Sequence, residues 1–428
     1  MQIAHALSYL YSDFCKKNEH NFIMKSKIIS PFKPALIKDY YPHDLKIYTF
    51  NAGFKKKNDD LLIIVFNKLV PISAVYSKTS TPSAPIIWDK KNNKGYCKIL
   101  IVNSGNANAH TGIKGIKAIE KYVKAACIFF NCKKSEILVS STGVIGEHLE
   151  PEKIIKKINI DKVKFTGGIL KAAEAITTTD TFPKTAITSI KHNSKKIKIY
   201  GFAKGSGMIA PNMGTMLAYI FIEVKINKKH LNNLLKKYIE STFNAISVDG
   251  DTSTSDTVIL FSTGIESKKT NITKTLFNSI SFALKKVMHN LSKQIVSDGE
   301  GISKLIEVNI VNAKTKNQAN KVAFSIADSL LVKTAIAGED ANWGRIVMAV
   351  GKAGEAVDRD KLSILIGGVP VAKFGAAVEG YSEIPVAKHM MGEEISIEVD
   401  VGVGSGQATV WTCDLTHGYI DINADYRS

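Results

Sequence analysis

With 428 residues, 45% of them hydrophobic and 22% charged, the chain has room for two or three domains and the composition of an ordinary globular protein. No stretch approaches the roughly 20 consecutive apolar residues of a membrane span, so no membrane partner is expected. The formal net charge of +18 would suit a nucleic-acid binder, but only three of the 57 basic residues are Arg (Arg345, Arg359 and Arg427); the lysines are spread over predicted helices and turns and read as a solvated surface, which argues against a nucleic-acid partner.

In chain order, residues 1–24 lack clear periodicity, a basic start, a small-residue cleavage site and any Arg. They read as a disordered extension or a misassigned start before Met24, with neither a secretory nor a mitochondrial leader expected. Apolar runs predict strands at 61–66, 97–102 and 137–140, and three- and four-residue spacing predicts a helix over 113–130. Further helices are expected at 151–158 and 168–177, then a lysine-rich hairpin or loop over 184–198. The run Met216-Leu-Ala-Tyr-Ile-Phe-Ile222 reads as a buried strand. Helices at 230–245, 273–296, 317–337 and 343–352 alternate with strands at 257–261, 302–312, 362–368, 394–401 and 407–413, giving an α+β chain with layered elements. Cys15, Cys97, Cys127, Cys132 and Cys413 are an odd number without a CxxC pair, which argues against a zinc site or a disulfide framework and for a reducing, cytoplasmic compartment.

The stretch Lys204-Gly-Ser-Gly-Met-Ile-Ala-Pro-Asn-Met-Gly-Thr215 sets a glycine-punctuated loop before a threonine at the head of a buried strand. Taken alone it is either a turn into the core or the arrangement of a self-cleaving enzyme. In the second reading the Thr215 hydroxyl attacks the Gly214 carbonyl, and the freed amine then serves as its own base. Three loops of small polar residues (103–112, 140–146 and 247–256) each border a predicted strand and offer backbone and hydroxyl donors for an oxyanion. There is no GxxxxGK[ST], HExxH or GxSxG, the glycines at 402–406 lack the spacing of a dinucleotide fingerprint, and His110, His148 and His417 are isolated.

Beyond these, the loop around Thr215 resembles the cleavage motif of the ornithine acetyltransferase (glutamate N-acetyltransferase) family of bifunctional arginine-biosynthesis proteins. The resemblance extends to Asn103-Ser-Gly-Asn-Ala-Asn-Ala-His-Thr-Gly112, Ser141-Thr-Gly-Val-Ile-Gly146, Thr178-Thr-Asp-Thr-Phe-Pro-Lys184, Val248-Asp-Gly-Asp-Thr-Ser-Thr254 and Asp298-Gly-Glu-Gly301. It continues through Gly338-Glu-Asp-Ala-Asn-Trp-Gly-Arg345 and Trp411-Thr-Cys-Asp-Leu-Thr416 to Ile422-Asn-Ala-Asp-Tyr-Arg-Ser428, in order from about residue 45 to the last residue.

The resemblance implies a layered α/β/β/α-type sandwich around the nucleophile strand over 25–300 and a smaller C-terminal α+β domain over 301–428, whose tail returns to the site. It implies self-cleavage between Gly214 and Thr215 into chains 1–214 and 215–428 that assemble as a heterotetramer of two of each. It also implies transfer of acetyl from N2-acetylornithine to glutamate through an acetyl-Thr215, with no cofactor or metal and with acetyl-CoA as a second donor in some members. Thr142 and Gly143 would form the oxyanion hole, and Thr178, Lys204, Thr215, Glu300, Asn423 and Ser428 would hold the amino acid. A self-processing aminopeptidase or amidase of similar fold is the alternative. Two departures stand out: Gly214 occupies a position where the family usually has Ala, and a lysine-rich insert at 186–199 unsettles the choice among Thr177, Thr178 and Thr179.

Overall fold

Long apolar runs with almost no polar alternation must be covered on both faces, and the strands of the first sheet are built from such runs. In a computed structural model, which describes residues 29–35, 39–159, 167–192, 195–210, 216–264 and 273–424, these strands are β1 (Leu45–Phe50), β2 (Leu61–Tyr76), β3 (Tyr96–Asn106), β4 (Ile137–Val144), β5 (Lys184–His192), β6 (Lys195–Lys204), β7 (Leu217–Ile222) and β8 (Thr257–Ser262). The proposed extension at 1–24, Gly214, Thr215 and Ser428 lie outside the described residues.

The strand order is β4-β3-β2-β8-β7-β6-β5, with β1 also on β2. β2 is the hinge of this arrangement. Its first half pairs with β1 and β3, its register shifts between Val65 and Val70, and its second half pairs with β8 from Ile72 to Tyr76. The bulge lets one strand pass from one layer into the next. β3 and β4 are parallel, as are β7 and β8; the β5–β6 and β6–β7 pairs are antiparallel.

Three cores define four layers. The outer face of β1–β4 packs on α1 (Ala84–Asn92), α2 (Gly112–Phe130) and α3 (Pro151–Ile158) through residues such as Ile63, Ile101, Val139, Ile119 and Ile154. Between the layers, Leu62, Ile64 and Leu100 meet Tyr200, Leu217, Tyr219 and Phe261, closed by α4 (Ile169–Ile176). A run of rings lies along this seam: Tyr200 to Phe221 at 5.0 Å, Phe221 to Phe261 at 4.9 Å and Phe261 to Phe66 at 5.0 Å. Ala218, Ile220 and Ile222 on the opposite face of β7 pack against α5 (Lys228–Ile239) and α6 (Lys274–Val296). The layers therefore run α/β/β/α. The period-2 alternation of β7 sends alternate side chains into different cores, which is why none of its six residues is exposed.

A second sheet follows, in the order β12-β11-β10-β13-β9-β14. Its strands are β9 (Leu305–Ala313), β10 (Ser363–Ile366), β11 (Val369–Lys373), β12 (Ala376–Ala377), β13 (Glu394–Asp400) and β14 (Gly406–Cys413). Its own core is shared with α7 (Lys316–Ala327), α8 (Leu330–Ala337), α9 (Trp343–Gly351) and α10 (Ile384–Met390). The end of β14 reaches the first unit: Trp411 and Cys413 join the core beneath α6, and Ser247 N–H donates to Trp411 O at 2.9 Å. A last helix, α11 (His417–Ala424), carries the chain back past Gly301. Among the described residues no helix is long and apolar enough to cross a membrane.

Most expected elements stand, with instructive differences. The 184–198 segment is a paired hairpin, β5–β6. The helix expected over 317–337 is two helices, separated at Asp328 and Ser329, where the Asp328 carboxylate accepts from the Ser247 hydroxyl. The helix expected over 230–245 ends at Ile239 and continues only as a 3₁₀ turn.

Candidate active site

Four chain segments converge where β3, β4 and β6 end and β7 begins. The first is the end of β4. Opposite it, β3 shifts register at Gly105 and Asn106, and Gly143 sits at φ +130°. A Cβ at Gly143 would lie 2.4 Å from the Gly105 carbonyl carbon, so only glycine lets the two strand ends approach this closely. Thr142, beside it, is buried.

The second segment is the end of β6. Lys204 is 2% exposed, and its Nζ donates to Thr178 Oγ1 at 2.7 Å and to Thr142 Oγ1 at 3.3 Å. A hydroxyl that accepts from an ammonium keeps its own proton free to donate. Lys204 thus leaves the Thr142 and Thr178 hydroxyls each with a proton to donate. Burial pushes the Lys204 ammonium below the ordinary lysine range, with the nearby Asp180 carboxylate opposing the shift.

The third segment is the 177–183 loop between α4 and β5. Of its three consecutive threonines, Thr178 meets Lys204, Thr177 donates to Glu174 O at 2.8 Å as part of the helix end, and Thr179 pairs with Ser206 Oγ at 2.6 Å. Asp180 organises the loop. Its Oδ1 accepts from Lys184 Nζ at 2.7 Å and Gly205 N–H at 2.6 Å; its Oδ2 accepts from Thr178 N–H at 3.0 Å and lies 3.8 Å from Lys204 Nζ. Lys184 also donates to Asp298 at 2.6 Å, and the Lys184, Asp180 and Asp298 contact is closed to solvent. Burial alone would raise the Asp180 carboxyl, but the Lys184 and Lys204 ammoniums and the Gly205 N–H outweigh it and hold it below the usual carboxylate range. Asp298 moves the other way, pushed up by burial and by the Asp180 charge. Two carboxylates around one ammonium separate in this manner.

The fourth segment is the end of α6 and the turn after it. Glu300 is held by its N–H donating to Ser206 O at 3.0 Å, and its Oε2 accepts from Asn423 Nδ2 of α11 at 2.8 Å. Gly207 leaves room for that carboxylate, since a Cβ there would come within 2.6 Å of it. The Lys204–Ser206 strip therefore ties two groups together: Lys204 with Thr142 and Thr178, and Glu300 with Asn423. β7 begins beside them, with Met216 N–H donating to Asp256 Oδ1 at 3.0 Å.

Of the residues singled out from the sequence, Thr142, Gly143, Thr178, Lys204, Glu300 and Asn423 are described, and five of these six are linked in two hydrogen-bonded groups at one place, with Gly143 next to Thr142 in the chain. The sequence reading missed the acids and the lysine behind them: Asp180, Lys184, Asp256 and Asp298. Three of these stand inside the quoted motifs, one or two residues from a chosen site residue or at the motif's end; Asp256 closes the 247–256 loop. An Asp or Lys inside a small-residue motif was the available signal.

A family model described as the ArgJ family matches residues 46–428. The chain is similar to the arginine biosynthesis bifunctional protein ArgJ of Bradyrhizobium diazoefficiens, at 45% identity over 94% of this chain and all of that one. It is also similar to the protein of the same name from Gluconobacter oxydans, at 46% identity over 86% of this chain and 88% of that one. Among solved structures it is similar to the crystal structure of the arginine biosynthesis bifunctional protein ArgJ of Bacillus halodurans, with 37% identity and a TM-score of 0.45, covering 48% of this chain and 97% of that one. On the family match and the relatives' identity over nearly their whole length, the chain belongs to the ArgJ family.

Proposed function

We propose that this chain is an acyltransferase of arginine biosynthesis that moves acetyl from N2-acetylornithine to glutamate through an acetyl-Thr215 ester. The observation that carries the proposal is the pairing of opposite charges within one site: buried Lys204 between two hydroxyls, and Glu300 beside Asn423. An ammonium suits the substrate carboxylate and a carboxylate suits its ammonium, so donor and acceptor amino acids, both zwitterionic, can occupy the place in turn.

The chemistry balances in two transfers. Thr215 is first released by a cut after Gly214, in which its hydroxyl attacks the Gly214 carbonyl and the resulting ester is hydrolysed. The freed α-amine then takes the Thr215 Oγ proton as Oγ attacks the acetyl carbonyl. The oxyanion accepts hydrogen bonds from the Thr142 hydroxyl and the Gly143 N–H, and the ornithine amine leaves with the proton. Glutamate's amine attacks the ester in the reverse sense and regenerates Thr215. No cofactor is required by this route, and acetyl-CoA is a second donor that the same nucleophile can accept. Ser428 belongs to the carboxyl end that completes the substrate contacts. The two halves stay together as a cytoplasmic heterotetramer of two 1–214 and two 215–428 chains.

The test is intact mass together with Thr215→Ala. Purified protein is expected as two polypeptides, the second beginning Thr-Met-Leu, and T215A as one uncut chain with acetyl transfer down by at least about 10⁴-fold. Processed, active T215A would refute the proposal. Acetate release from acetylornithine that does not depend on glutamate would point instead to the hydrolase, and transfer from acetyl-CoA alone tests the second donor.

A further inference from the structure

Once the Gly214–Thr215 bond is cut, one covalent link holds the nucleophile: its peptide bond to Met216. The planar peptide carries the Thr215 Cα and carbonyl with the Met216 N–H, so what holds that N–H limits where Thr215 can sit. Met216 is 1% exposed and its side chain lies in the core under α5 and α6. Its C=O accepts from Thr257 N–H at 3.0 Å, a backbone contact within the sheet. Its N–H, the atom bonded directly to the Thr215 carbonyl carbon, donates to Asp256 Oδ1 at 3.0 Å.

Asp256 is unusual in three respects. It is wholly buried, its second oxygen, Oδ2, has no hydrogen-bond partner among the described residues, and its own segment is pinned from outside. Ser77, just after β2, clamps it twice: Ser77 N–H donates to Asp256 O at 3.0 Å and Ser77 Oγ to Ser253 O at 2.9 Å. Ser83 N–H donates to Thr254 O at 2.8 Å. A side chain so held, ending on the amide one bond from the nucleophile's carbonyl, is placed as a rigid stop.

We infer that Asp256 is a positioning residue for the nucleophile, holding the Met216 N–H and with it the peptide plane from which Thr215 extends. The inference rests on the reading of Thr215 as nucleophile. Burial pushes the Asp256 carboxyl well above the ordinary carboxylate range, against the Met216 N–H and the Lys204 charge, which pull it down.

Asp256→Ala and Asp256→Asn in the full chain test this. Asn presents the same carbonyl oxygen, so D256N is expected within about 3-fold of the unaltered protein in processing rate and kcat. D256A is expected to lose about 10- to 100-fold in kcat, with KM for acetylornithine nearly unchanged, since misplacing a reacting group costs rate rather than binding. Backbone amide exchange at Met216 should quicken in D256A and not in D256N. Where D256A does not fold, Asp256→Ser, too short to reach the Met216 N–H, gives the same reading. D256A with ordinary kcat, processing and Met216 protection overturns the inference, and so does D256N as slow as D256A. Failure of the nucleophile reading looks different: the unaltered protein itself stays uncut and inactive, while the exchange of Met216 still responds to D256A.

Discussion

Four buried acids of the sandwich fall into two kinds: two share a buried lysine, and two are held by neutral donors. At the β5–β6 edge, Asp180 and Asp298 surround Lys184, with Lys204 close by; each charge has a partner of opposite sign, and each carboxylate accepts from a backbone N–H besides. Elsewhere, Asp89 in α1 and Asp256 before β8 stand, among the described residues, without a cation in hydrogen-bond reach. Asp89 accepts from Val139 N–H at 3.2 Å and touches Tyr76 at 3.5 Å, and burial raises both carboxyls well above the ordinary range. The first pair is braced by opposite charge, while the second pair serves as shaped hydrogen-bond acceptors in the frame.

The same substitution should therefore have opposite signs at the two places. Asp180→Asn removes the charge that two buried ammoniums lean on, and breaking such a pair from one side costs about 3 kcal/mol or more. Denaturant melts should show D180N destabilised by that amount, with transfer lost as the Thr178 loop loosens; an unchanged midpoint would erase the distinction. Lys204→Gln keeps the shape but removes the cation. KM for both amino acids should rise about 10- to 100-fold, as for loss of a hydrogen bond to a charged group. Because burial sets the Lys204 ammonium below the ordinary lysine range, the charged form is present below that lowered value and lost as pH rises through it. The pH profile of kcat/KM should thus fall on its alkaline side earlier than an ordinary lysine would allow, and K204Q should lack that limb. The smallest effect is at Asp89. Its folded carboxyl holds a proton that the unfolded chain gives up above the usual Asp range, so its contribution is present at low pH and lost as pH rises. Asp89→Asn should stabilise by about 1 kcal/mol at pH 8, and the gain should vanish below the ordinary Asp pKa. D89N destabilised at every pH would put Asp89 with the paired acids.

The strands and helices were legible where period and composition agree, as at β7, α2 and α6. They were illegible where tertiary structure decides. Asn67, Lys68 and Pro71 look like the end of a strand, yet β2 continues to Tyr76 because its bulge carries it across two layers. The periodicity of 317–337 runs straight through a break made by Ser247, a residue 81 positions from Asp328. At the site, the residues expected to face substrate were accessible because motifs name them. The acids behind them were not, since whether an Asp in a small polar loop faces water or a buried lysine depends on segments such as Asp298, 114 positions from Lys184.

The order of the first sheet has a consequence for how the molecule comes apart. β7 and β8, which follow residue 214, lie between β2 and β6, which precede it. A cut before Thr215 severs the chain without opening a seam, because no line through the sheet divides the two products with fewer than two strand pairings crossed. Released alone, the first product would carry a two-strand gap, and the second a parallel pair with both edges bare and both faces apolar, the form of surface that drives aggregation. Processing as proposed would thus convert a reversible fold into a one-way one. A molecule so nicked would persist for as long as it never fully unfolded, because its separated pieces would have to re-insert two strands between two others.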